Sequence, residues 1–159
     1  MVNIIDAAQA TIDAWSAIVR LLAVPNSNVT AIAAQLAPVY LPTYNSITLG
    51  TITPRNQTQI RDGAAAQFQR FRDVGLGTDV KVVASRIEQV SNESAICWAT
   101  LYLCPPASSN IECYSYTEPF GFRLNDTVDN GLGGGWEWGI GDQEFQSACE
   151  RAPSVSSYC

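Results

Sequence analysis

The chain has 159 residues, a net charge of −6, and 47% hydrophobic against 15% charged residues. That length supports one domain with its own core, and the composition is that of a globular chain and not a disordered one. The acidic balance, with Lys81 and eight arginines as the only bases, argues against nucleic acid or an anionic membrane as a partner. The chain contains no histidine. This removes Ser-His and Cys-His nucleophile pairs, a histidine general base and any histidine-ligated metal, so proton chemistry falls to Asp, Glu, Tyr, Cys or Lys81. No apolar run approaches the roughly 18 residues needed to span a bilayer.

Ile5, Ala8, Ile12, Trp15, Val19 and Leu22 recur at steps of three and four, with Asp6, Asp13 and Arg20 opposite; this predicts an amphipathic helix of about five turns. Val24-Pro25 ends it, and Asn26-Ser27-Asn28 supplies a turn and a new cap. A shorter helix follows, with Ile32, Leu36 and Val39 or Tyr40 inward and Pro38 and Pro42 at its end. Tyr44 to Ile52 alternates polar and apolar and reads as one strand. Thr58 is placed to cap a third helix carrying Ile60, Ala64, Phe68 and Phe71 on one face, and Gly75-Leu76-Gly77 stops it.

From Val80 the period changes to two. Strands are expected at Val80–Val90, Ala95–Leu103, Glu112–Leu124 and Trp136–Phe145, joined as an antiparallel meander. Residues 1–150 form the expected domain and 151–159 a polar C-terminal tail. Three N-terminal helices and a long antiparallel sheet make an α+β fold, in which helices on the concave face of a curved sheet enclose a conical cavity.

Five cysteines form no CxxC pair, which argues against a zinc ribbon or thioredoxin motif. Cys104 and Cys113 bracket a loop between two strands and Cys149 and Cys159 bracket the tail, so two local disulfides are expected with Cys97 left as a buried thiol. Four N-x-[ST] sequons, at Asn28, Asn56, Asn92 and Asn125, fall at expected helix starts and turns. Disulfides and sequons together point to an extracellular protein with its leader removed, the alternative being a cytoplasmic one with reduced thiols.

Alternation along the strand from Glu112 puts Tyr114, Tyr116, Glu118, Phe120 and Phe122 on one aromatic face. A carboxylate in an apolar wall has its charged form disfavoured, which suits Glu118 to acid–base work, with Tyr116, Tyr44 or Tyr102 as hydrogen-bond donor to a substrate oxygen. Trp136 and Trp138 share one face of the last strand, Trp98 and Tyr102 one face of a neighbouring strand, and Trp15 and Val19 lie on the first helix's apolar stripe. With Tyr44, Tyr114 and Phe120 these are the expected lining of a pocket for a small apolar ligand. Neither a metal nor a cofactor is called for.

In element order and in two stretches, Gln59-Ile-Arg-Asp-Gly-Ala-Ala-Ala-Gln-Phe-Gln-Arg-Phe71 and Gly135-Trp-Glu-Trp-Gly-Ile-Gly-Asp-Gln-Glu-Phe145, the chain resembles the NTF2-like superfamily and its SnoaL-like branch. The resemblance implies a cone-shaped α+β fold, a pocket for a small molecule, and a homodimer through the outer sheet face near Ser115 and Thr117. It implies isomerase, cyclase or lyase chemistry on a polyketide or terpenoid, or else a non-catalytic binding or secreted interaction role. The histidines of the superfamily's cyclases and dehydratases have no counterpart here, and Ala95–Leu103 lacks the Asp and Arg of its epoxide hydrolases. The ketosteroid isomerases of the superfamily need a tyrosine and two acids in an apolar pocket; no motif here marks them.

Overall fold

In the computed structural model, which describes residues 2–159, helix α1 (Ile4–Arg20) begins at Asn3, whose side chain accepts from the Ile5 and Asp6 amides. It buries Ile4, Ala8, Ile12, Trp15 and Val19 on one stripe, the face its period predicts. Helix α2 (Val29–Leu36) is capped by Asn28. Helix α3 (Gln57–Asp73) is capped by Asn56, two residues before the expected cap Thr58, because Asn56 and Gln59 form a capping box, each side chain bonded to the other's backbone N–H.

Strands β1 (Tyr40–Thr48) and β2 (Thr51–Arg55) replace the single strand expected at Tyr44–Ile52. Leu49 and Gly50 both take positive φ, 47° and 81°, which is the two-residue hairpin turn that matches strand twist. The remaining strands are β3 (Val80–Gln89), β4 (Ser94–Leu103), β5 (Tyr114–Leu124) and β6 (Gly134–Ile140). They assemble into one six-stranded sheet in the order β2-β1-β6-β5-β4-β3.

The sheet is mixed and not wholly antiparallel, because β1 and β6 pair in parallel while the other neighbours pair antiparallel. Helix α3 carries the chain across the concave face to the β3 edge, and the meander then walks back until β6 lies beside β1. The fold is α+β, with helices packed on the concave face of a curved sheet.

Two further corrections concern the last strand. It ends at Ile140, and residues expected to continue it form a fourth helix, α4 (Asp142–Arg151), with Asp142 and Glu144 in its first turn and Arg151 in its last. The alternation of β6 also breaks. Phe122 pairs with Trp136 while Gly121 pairs with Trp138, leaving Glu137 as an extra residue. This bulge sends Trp136 into the core, fully buried, and Trp138 to the outer face above Gly121.

The disulfides are Cys104–Cys113 and Cys149–Cys159, with Cys97 free and buried, the pairing expected from loop and tail positions. No helix of the described residues is long and apolar enough to cross a membrane.

Candidate functional site

A cavity of about 520 Å³ lies between the concave face and the helices. Its apolar lining comes largely from α1, α2, α3, β3 and β4, through Val19, Leu36, Phe71, Val80 and Leu103 among others. Its polar groups come largely from β1, β5 and α4, namely Tyr44, Tyr116, Glu118 and Glu144, together with Gln67 from α3. The division follows from the sequence. Helices α1 and α2 present only aliphatic and aromatic residues to the cavity, whereas α3 adds Gln67 and Arg70, α4 adds Glu144, and the inward positions of β5 include one acid, Glu118.

Glu118 is 8% exposed and points into this cavity. Helix α4 packs against β5 and brings Glu144 into the cavity lining beside Glu118. Burial, then the neighbouring Glu144 carboxyl, hold the Glu118 carboxyl well above its ordinary 4.5. Glu144 Oε1 also accepts from Gln67 Nε2 at 2.9 Å and from the Tyr116 hydroxyl at 3.4 Å. Burial raises the phenol pKa of Tyr40, Tyr44 and Tyr116, which keeps all three as neutral O–H donors. Tyr40 Oη in turn accepts from Trp15 Nε1 at 3.2 Å.

Arg70 is the single basic residue in the described lining. Its guanidinium donates to the Ser154 and Val155 carbonyls of the C-terminal segment. Val155 and Ser156 thereby complete the cavity wall, and the Cys149–Cys159 disulfide ties that segment back to α4. The residues expected to be a polar tail thus contribute to the cavity.

Of the residues singled out in the sequence, Trp15, Val19, Tyr44, Tyr116, Glu118 and Phe120 line the cavity. Tyr114 and Trp136 are buried on the same side of the sheet but belong to the packed core; Trp136 stacks on Phe120 at 4.9 Å, and Arg151 covers the Tyr114 ring at 4.1 Å. Trp98, Tyr102 and Trp138 are corrections. They stand half-exposed on the outer face, where Arg86 lies over Trp98 and Lys81 over Tyr102. Inward positions of β4 are Ala95, Cys97, Ala99, Leu101 and Leu103, leaving both aromatics on the other parity. Burial pushes the Cys97 thiol up to about 12, so it is a core residue and not a nucleophile.

Glu144 is the acidic cavity residue that sequence reading missed. Phe145, Ala148 and Ala152 repeat at helical spacing after Gly141, a period-3.6 signal that would have ended β6 early and put Glu144 on a helix.

Neither a protein-family model nor a curated protein matches the chain. Solved structures do. A protein from Shewanella oneidensis MR-1, described as NTF-2 like and of unknown function, superimposes with a TM-score of 0.57 at 12% identity, over 86% of this chain and 96% of that one. The chain has an NTF2-like fold.

A domain of unknown function with a cystatin-like fold from Nostoc punctiforme matches at 16% identity and TM-score 0.55, covering 94% of this chain and 89% of that one. An NTF2-like chain at these identities shares architecture and not a site. What this cavity does therefore has to be read from its own residues.

Proposed function

We propose that this NTF2-like cavity binds a small, mostly apolar molecule, of polyketide or terpenoid type, and moves a proton on it, as an isomerase, cyclase or lyase does. The observation that carries this reading is the Glu118–Glu144 carboxyl pair, Glu118 buried and Glu144 half-buried, facing a mostly apolar cavity of about 520 Å³. A carboxyl whose charged form is disfavoured is poised both to give and to take a proton. Tyr44 and Tyr116 supply neutral O–H donors for an oxygen that gains charge as the proton leaves. A tyrosine with two acids in an apolar pocket is the set that the ketosteroid isomerases of the superfamily use, reached here from β1, β5 and α4.

The test is isotope exchange. Wild-type protein incubated with a panel of bicyclic enolisable ketones in deuterated water is expected to speed α-proton exchange for at least one of them. A ketone shown by calorimetry to occupy the cavity, yet exchanged no faster than in buffer, would make the protein a binder without catalysis.

The two disulfides favour an oxidising compartment for the protein. None of the four sequon asparagines is buried. Asn28 and Asn56 use Oδ1, not Nδ2, for capping, Asn92 is exposed in the β3–β4 turn, and Asn125 Oδ1 accepts from Thr127. The half-exposed Trp98, Tyr102 and Trp138 make the outer face the surface for self-association. Native mass spectrometry of protein secreted by a eukaryotic host is expected to show a glycan-bearing dimer; an unmodified monomer at micromolar concentration would reject secretion chemistry and dimerisation together.

A further inference from the structure

Three phenols reach the cavity, and their protons are not equally free. The Tyr116 hydroxyl lies 3.4 Å from Glu144 Oε1, which gives its proton an acceptor. Tyr40 and Tyr44 are 9% and 8% exposed and line the same cavity. Among the described residues neither hydroxyl has an acceptor for its proton; the one side-chain bond to Tyr40 Oη is a bond it accepts. A buried O–H without an acceptor is costly, so the acceptor has to come from what enters the cavity.

Tyr40 is constrained further. The Trp15 indole N–H donates to Tyr40 Oη at 3.2 Å. An indole nitrogen can only donate, so the phenolic oxygen is the acceptor there and its own proton is turned away from Trp15. A hydroxyl that accepts one hydrogen bond becomes a better donor of the next. Burial first and then Glu118 raise the Tyr40 pKa, and the Trp15 bond acts against them.

Tyr44 is held beside it. Both residues belong to β1, and their rings meet edge-to-face at 4.7 Å. Tyr44 crosses Gly139 of β6, where any side chain would collide with its hydroxyl. Burial, then Tyr40, then Glu118 raise the Tyr44 pKa, so the acid and the two hydroxyls act on one another as a single cluster. Trp15, Tyr40, Tyr44 and Glu118 are all buried around one side of the cavity.

We propose that Tyr40 and Tyr44 together receive one carbonyl oxygen of the ligand, and that Trp15 positions Tyr40 to do so. The two lone pairs of an sp² oxygen take two donors. The proposal rests on the cavity being a ligand site, and it names the ligand class as a neutral ketone whose oxygen lies at the β1 wall. Tyr40 is then a binding residue in its own right, and Trp15 is a positioning residue that acts through it.

The probes 1-tetralone and tetralin share a bicyclic skeleton and differ by the oxygen. In titrations of the wild-type protein the ketone is expected to bind about 25-fold tighter, about fivefold for each of two hydrogen bonds. Tyr40→Phe and Tyr44→Phe, each checked for native circular dichroism, should each lower that preference about fivefold while tetralin affinity holds. The part played by Trp15 is read in the wild type by NMR. Its indole N–H proton resonance should move on adding 1-tetralone and stay on adding tetralin, and in Tyr40→Phe the ketone should no longer move it. Equal affinities of the wild type for the two probes would overturn the proposal and leave the cavity standing as an apolar site. A ketone preference intact in Tyr40→Phe would place the oxygen on other donors and overturn it as well. An indole shift common to both probes would make Trp15 a packing residue only. Failure of both probes to bind would reject the cavity as a site for such molecules, and the proposal with it.

Discussion

Replacing Glu118 by Gln is expected to lower turnover of any substrate the protein is found to act on by about 10²-fold or more. Glutamine keeps the shape of the side chain, so the wall of the cavity is preserved. What disappears is a group able to take a proton and return it. KM should move little by comparison, because the groove, its aromatics and Tyr116 are untouched. Equal turnover by wild type and variant would remove Glu118 from the mechanism. The same variant has a second expected effect, of opposite sign. Glu118 titrates near 4.5 when unfolded and well above that in the native state, through burial and Glu144. Between those two values the native state holds more protons than the unfolded one, so stability declines as pH rises through that window. Glutamine does not titrate. The variant should therefore gain stability relative to wild type as pH is raised from about 4 to 8, measured by urea denaturation at each pH. Such a pairing of lost activity with gained stability is what a buried catalytic acid produces and a structural one does not.

Trp136→Ala is expected to cost about 3–5 kcal/mol of folding stability, seen as a lower urea midpoint with little change in slope. Trp136 is fully buried, stacked on Phe120 and edge-on to Phe122 at 6.2 Å, so its removal opens a void where β5 and β6 support the cavity floor. Trp138→Ala removes the same side chain two residues away and should cost clearly less, since Trp138 is half-exposed on the outer face. Equal losses for the two would mean that the bulge at Glu137 does not sort them to opposite faces.

Much of the architecture was legible locally. The stripe of α1, the alternation of β3, β4 and β5, and the aromatic face with Glu118 inside it follow from periods of 3.6 and 2 that neighbouring residues carry by themselves. The same holds for the disulfides, because Cys104 with Cys113 and Cys149 with Cys159 each close a short loop. Trp136 and Trp138 show where local reading ends. Their faces depend on one extra residue in β6, and a bulge is defined only against the partner strand. Likewise the parallel pairing of β1 with β6 joins residues some ninety positions apart, and no local pattern encodes it.

The site divides in the same way. Sequence alone determined that any proton chemistry would have to use Asp, Glu, Tyr, Cys or Lys81, since there is no histidine, and that Glu118 faces inward. Only the tertiary structure decided that Glu118 is one of a pair. Glu144 lies 26 residues further along the chain, on a helix whose place against β5 is set by where β6 stops. A side chain's chemistry is local, whereas its partners, and with them its charge, are chosen by the fold.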